Sequence, residues 1–157
     1  MATTDALIVF RCRTGQTEAV ALQSAVGIVQ ARGRVRLRRL DADENAPTGP
    51  EADTLRRMRR EYVPPAERDV AWAGLLVVVD DGSGPTAPEW TRWLAGLGDG
   101  GTSGRIRGKT AAVISEDDGA AHALAQRLAT AGFHLLHRSD EEQPGEFTRR
   151  IAGETPE

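Results

Sequence analysis

Residues 6–10, Ala6-Leu7-Ile8-Val9-Phe10, run directly into Arg11-Cys12-Arg13-Thr14-Gly15-Gln16-Thr17-Glu18, and from Thr17 to Ala31 the pattern changes. A short unbroken apolar run reads as a strand buried on both faces of a parallel sheet. After it, Val20, Ala21, Ser24, Ala25, Ile28 and Val29 recur at three- and four-residue spacing, which predicts an amphipathic helix with these six on its buried stripe. Gly33 ends that helix. A loop containing a glycine and two threonines therefore lies between a buried strand and a helix.

The same alternation continues along the chain. Gly74 to Val79 is a second apolar run; Thr110-Ala111-Ala112-Val113-Ile114 and Phe133 to His137 are two more candidate strands. Arg34 to Leu40 alternates arginine with Val35 and Leu37, as befits an edge strand with one wet face. Helices are predicted over 51–62, ending before Pro64-Pro65; over Pro88 to Leu97, burying Trp90, Trp93, Leu94 and Leu97; over Gly119 to Ala131; and from Glu141 to Ile151. Residues 41–50 read as a loop. Strict β-α alternation predicts a three-layer α/β sandwich whose five-stranded parallel sheet, in the flavodoxin-like order 2-1-3-4-5, is covered by helices on both faces. One domain, residues 1–152, is expected, with 153–157 a frayed tail.

Composition bounds the function. The 157 residues are 39% apolar and 27% charged, with 17 Gly and 8 Pro, values of an ordinary globular chain. No apolar run approaches the ~20 residues that span a bilayer. The first residues carry no leader pattern, so cytoplasmic residence is expected. Cys12 is the lone cysteine and permits no internal disulfide. Residues 1–68 hold 12 basic and 9 acidic side chains and residues 69–157 hold 8 and 14. The arginine clusters at 34–39 and 56–60 lie beside acids, so no coherent basic surface for nucleic acid is expected.

In such sheets ligands bind outside the carboxyl ends of the strands, where the strand order reverses. Loops 11–17, 80–88 and 115–119 should meet there. Thr14 and Thr17 supply hydroxyl donors, Gly15 lets backbone N–H groups approach an anion, and the helix N-terminus adds partial positive charge. That is chemistry for a phosphate, although Thr17 also suits a plain helix cap.

Cys12-Arg13-Thr14-Gly15-Gln16-Thr17 resembles the phosphate loop of flavodoxin-like proteins, Ser/Thr-x-Thr-Gly-x-Thr, with cysteine in the first place. Residues 69–79 and the stretch Gly100 to Lys109 followed by Thr110 to Ser115 resemble WrbA-type NAD(P)H:quinone oxidoreductases, a likeness covering roughly residues 6–137. It implies FMN as cofactor, NAD(P)H and a quinone as small-molecule partners, and electron or hydride transfer through the flavin. The flavin-binding residues it implies are Cys12, Arg13, Thr14, Gly15, Gln16 and Thr17, then Asp80, Asp81, Gly82 and Ser83, then Ser115, Glu116 and Asp117. No catalytic residue and no metal ligand is assigned. The chain departs from the family at the ring end: loop 80–88 is shorter and has no aromatic residue, loop 115–119 is acidic, and the insertion after the fourth strand that supports a tetramer is missing. A monomer or homodimer is therefore expected.

Asp80, Asp81, Glu116, Asp117 and Asp118 should face one crevice. Beside a flavin they would disfavour the anionic hydroquinone. A flavin-free relative that serves as an interaction module, or holds a divalent cation in this acidic pocket, is the alternative. Cys12, between two arginines at a helix start, is expected to have a lowered pKa, but a tyrosine-phosphatase loop would need arginine where Glu18 stands. His134 and His137 should point to opposite faces of a strand, and His122 should sit in the first turn of a helix near the pocket. Trp72, Trp90 and Trp93 read as core.

Overall fold

The structure, a computed structural model, describes residues 3–11, 15–40, 52–97, 106 and 108–154. Its sheet contains β1 (Asp5–Phe10), β2 (Arg34–Arg39), β3 (Leu75–Asp80), β4 (Thr110–Ser115) and β5 (His134–Leu136), ordered β2-β1-β3-β4-β5 with every neighbouring pair parallel. The helices are α1 (Gly15–Gln30), α2 (Ala52–Glu61), α3 (Glu67–Trp72), α4 (Pro88–Leu97), α5 (Asp118–Ala131) and α6 (Pro144–Glu154). Residues 41–50, expected to form a loop, lie outside the described residues, as do 155–157 of the expected tail.

The strand period of two divides the core into two layers. Ala6, Ile8 and Phe10 of β1 and Leu75, Val77 and Val79 of β3 face α1, α2 and α6, packing on Ile28, Met58, Phe147 and Ile151. Leu7, Val9, Leu76 and Val78 face the other way, onto Val70, Trp90, Leu94, Leu124 and Leu128 of α3, α4 and α5. Every residue of β3 is buried, which explains why its sequence shows no polar alternation.

Helices α1 and α6 cross closely. A Cβ on Gly27 would collide with the Gly145 carbonyl and the Thr148 hydroxyl, and one on Gly145 would lie 3.1 Å from the Gln23 carbonyl oxygen. The Thr148 hydroxyl donates to the Ser24 carbonyl at 2.7 Å across this crossing. Pro144 starts α6 where its missing N–H is harmless, so the helix begins later than the expected residue 141.

One expectation about α1 fails. Val29 is 60% exposed, because the inward face consists of Thr17, Ala21, Ser24 and Ile28, and Val29 falls on the outward side with Leu22 and Val26. Helix α3 was legible only as a passage leading to β3; Asp69 in its first turn accepts the Ala66 N–H at 2.9 Å.

Arginines of both clusters are held in ion pairs. Arg34 grips Asp5 through two bonds of 2.7 and 2.8 Å, and Arg36 and Arg38 each reach Asp69 at 3.1 Å. The Arg36 guanidinium also lies 4.2 Å from the centre of the Trp72 ring, which is part-exposed. Among the described residues no helix is long and apolar enough to cross a membrane.

Candidate functional site

The strand order reverses between β1 and β3, and the carboxyl ends of β1, β3 and β4 carry the three expected loops side by side. Cys12, Arg13 and Thr14 of the first loop lie outside the described residues. Beyond them α1 opens with Gly15 and Gln16 exposed and Thr17 buried. Nothing lies within 4 Å of where a Gly15 Cβ would stand. Thr17 is 5% exposed.

Glu18, the acid in this first turn, is held away from the helix mouth. Arg57 donates to it at 2.6 and 3.0 Å, and the Tyr62 hydroxyl donates at 2.7 Å. The Arg57 bond holds the Glu18 carboxyl below its ordinary pKa against the opposing effect of burial, and Tyr62 adds to it. Burial and the adjacent Glu18 carboxylate raise the Tyr62 phenol, so it stays a donor. Tyr62 is itself fixed edge-on against Phe10, with ring centres 5.0 Å apart. A carboxylate that would repel an anion at the helix mouth is thus neutralised by α2.

The second loop closes on itself. Asp80 is 2% exposed and accepts the N–H groups of Gly82 and Gly84 at 3.0 and 2.9 Å, the Trp90 indole N–H at 2.7 Å and the Ser115 hydroxyl at 3.1 Å. Gly82 and Gly84 have φ of 100° and 61°, a left-handed backbone that turns both N–H groups inward. A side chain on Gly84 would also come within 2.9 Å of Ala120 Cβ, so this turn rests on the start of α5. Asp80 therefore welds the second loop to α4 and to the end of β4, and its carboxylate is filled by internal donors.

Arg11 bridges the first and second loops. Its guanidinium donates to Asp81 at 2.6 Å, Ser83 at 3.2 Å and Glu89 at 3.1 Å, and both Arg11 and Glu89 side chains are 5% exposed. In the sequence Arg11 stands out only as a neighbour of Cys12, and nothing local links it to Glu89. The available signal was a charged residue placed directly after an apolar strand, where burial demands a counter-charge.

In the third loop Asp117 caps α5 by accepting the Ala120 N–H at 2.7 Å, and its own N–H donates to the Ser115 hydroxyl at 3.3 Å. Glu116, Asp117 and Asp118 are exposed. The structure thus brings Asp80 to Ser83 against Ser115 to Asp117, but Asp80 and Asp81 point into internal networks and only the third-loop acids face solvent. No cluster of three or more His, Cys, Asp or Glu able to hold a metal ion occurs among the described residues. Open space of about 380 Å³ lies one strand over, between the ends of β4 and β5, lined by Ser115, Asp118, His122, His137, Arg138 and Asp140 among others. His137 falls just past the end of β5, which is why it reaches the same groove as His122 and the expected strand alternation does not govern it.

An open, doubly wound parallel sheet in the order 2-1-3-4-5, with its crevice between the first and third strands, defines the flavodoxin-like fold. Solved structures bear this out. A short-chain flavodoxin associated with a PDU bacterial microcompartment superposes with a TM-score of 0.63 at 15% identity, covering 98% of this chain and 97% of that one. The two-electron reduced flavodoxin of Megasphaera elsdenii gives 0.62 at 16%, covering 94% and 98%. The NAD(P)H:quinone oxidoreductase of Methanothermobacter marburgensis gives 0.50 at 12%, covering 98% and 97%. No family model matches the chain, and no curated protein matches it in sequence.

Proposed function

We propose that this chain binds FMN through its phosphate at residues 12–17 and serves as an electron or hydride carrier between a nicotinamide cofactor and a quinone. The observation that carries the reading is the place of the α1 N-terminus, with open space at Gly15 and Thr17 in its first turn, at the crevice where this fold receives ligands. These residues fit a phosphate. Thr17 and the backbone N–H groups from Gly15 onward would donate to its oxygens, with Cys12, Arg13, Thr14 and Gln16 completing the loop. Arg57 and Tyr62 keep Glu18 paired so that the nearest acid adds little repulsion.

FMN would supply the redox chemistry; the chain's residues bind it and set its surroundings. The network of Asp80, Arg11 and Glu89 fixes Gly82 and Ser83, and Ser115, Glu116 and Asp117 lie against them, so that the two loops together would border the ring. The acidic side chains of Glu116 and Asp117 there would disfavour added negative charge on a reduced ring and so lower its potential. A flavin-free scaffold that keeps only the phosphate cradle is the second reading, favoured by the closure of the second loop on Asp80.

Titration of the purified protein with FMN, riboflavin and inorganic phosphate, read by flavin absorbance and thermal unfolding, tests this. FMN is expected to bind and stabilise, by about 2.7 kcal/mol at ~100 times its dissociation constant. Thr17→Ala should weaken FMN about tenfold, since a charge-assisted hydrogen bond is worth ~1.5–3 kcal/mol. Stabilisation by phosphate without any flavin spectral change selects the flavin-free scaffold. Riboflavin stabilising as well as FMN refutes the phosphate reading.

A further inference from the structure

Helix α1 is apolar on both sides. Its inner side packs on the sheet, while its outer side carries Ala19, Leu22, Val26 and Val29, the last three 45%, 54% and 60% exposed. The exposed positions flanking them are Gln16, Gln23 and Gln30. The one charged residue of the helix, Glu18, is buried and bound by α2. The outer faces of the longer helices around it all carry charge, at Arg56 and Arg60, Arg92, Arg127 and Arg149. A second apolar stripe, on the side away from the sheet, is the pattern of a helix covered on both sides.

The spacing fits a second copy of the same helix. Residues 19, 22, 26 and 29 are separated by three, four and three positions, the repeat of a helix–helix seam. Three-four-three reads the same in both directions. A second α1 laid antiparallel, with a two-fold axis at the level of residue 24, sets Ala19 against Val29 and Leu22 against Val26 on both sides of the axis. Small side chain meets branched and large meets medium in each layer. Any charge on such a face would meet its own kind near the axis, and this face has none, whereas a charged partner would find no complement on it.

We propose that the outer face of α1 is the two-fold interface of a homodimer, its occupant being the α1 of a second copy of this chain. The 16-residue helix is about 24 Å long, so the contact falls at the small end of specific interfaces and the dimer is a weak one. The helix mouth at Gly15 to Thr17 lies about 12 Å along the helix from the axis, so association and phosphate binding are separate properties.

Sedimentation equilibrium on the full chain, with and without FMN, tests the proposal alongside two double variants, Leu22→Lys with Val26→Lys and Leu22→Glu with Val26→Glu. These side chains are exposed, so both variants should keep the wild-type circular dichroism and melting transition. The wild type should show a monomer–dimer equilibrium. Each variant alone should raise the dissociation constant about tenfold or more by like-charge repulsion across the axis. Mixing the two should restore the dimer as a mixed pair. A wild type that stays monomeric up to about 1 mM overturns the proposal and leaves the face to another protein. A dimer indifferent to both variants overturns it too, as does an equimolar mixture that stays monomeric. Loss of FMN binding in Thr17→Ala has no bearing on any of these outcomes.

Discussion

Replacing Asp80 tests whether one carboxylate organises the crevice. Four donors converge on it, and three of them, the Gly82 and Gly84 N–H groups and the Trp90 indole N–H, cannot find another acceptor without moving the backbone or a fully buried ring. The fourth, the Ser115 hydroxyl, can rotate. Each stranded buried donor costs about 1–3 kcal/mol, with water entering the vacated space offsetting part of the sum. Asp80→Ala should therefore destabilise by about 3–5 kcal/mol, a third or more of the stability of a typical domain. Asp80→Asn keeps the shape and one acceptor. Its carbonyl can serve Gly82 and Gly84, but the amide then presents N–H to the indole N–H, at a cost of about 1–3 kcal/mol. Trp90→Phe removes that clash, so the double variant should recover about 1–2 kcal/mol relative to additivity. Urea unfolding followed by far-UV circular dichroism gives the values. Asp80→Ala costing under about 1 kcal/mol, or Asp80→Asn costing as much as Asp80→Ala, refutes the assignment.

Three further outcomes follow from single contacts. Gly27→Ala should lower stability by about 1–3 kcal/mol because its Cβ meets the Gly145 carbonyl and Thr148; Gly96→Ala, in open space on α4, should raise it by up to about 1 kcal/mol, and thermal melts that rank the two in reverse reject the close crossing. Arg11→Met should cost about 3–5 kcal/mol by stranding Asp81 and Glu89, and adding Glu89→Gln should recover part of this in urea unfolding. Both Glu18 and Asp69 are held below their ordinary pKa, Glu18 first by Arg57 and Asp69 by Ala66, Arg38 and Arg36 against the penalty of burial. Their stabilisation is present above the unfolded carboxylate range and lost as pH falls through the lowered folded values. Stability should therefore decline below about pH 4.5, with a shallower decline in Arg57→Ala; an unchanged acid limb in that variant would contradict the pairing.

The parallel sheet was legible because its strands are buried on both faces. A run such as Leu75 to Val79 or Ala6 to Phe10 leaves few alternatives, and helices at regular intervals between such runs call for right-handed crossovers and leave a handful of doubly wound strand orders. The location of the crevice followed from the order 2-1-3-4-5, and so did the place of Gly15 and Thr17 at the start of α1. Carboxylate behaviour was not legible. Asp80 and Asp117 look alike in sequence, yet one is buried under four donors and the other caps a helix in solvent, because Trp90, ten positions on, and Ser115, from the next strand, arrive only when the chain is folded. Arg11 was equally ambiguous until Asp81 and Glu89, some seventy to eighty residues distant, closed on it. Periodicity likewise shows that α1 has more than one apolar stripe, but which stripe meets the sheet depends on the crossing with α6 at Gly27, a contact between segments more than a hundred residues apart. Local pattern determines which elements form and in what order; which polar group is satisfied, and which apolar face is left outside, depends on contacts between residues that the sequence holds far apart.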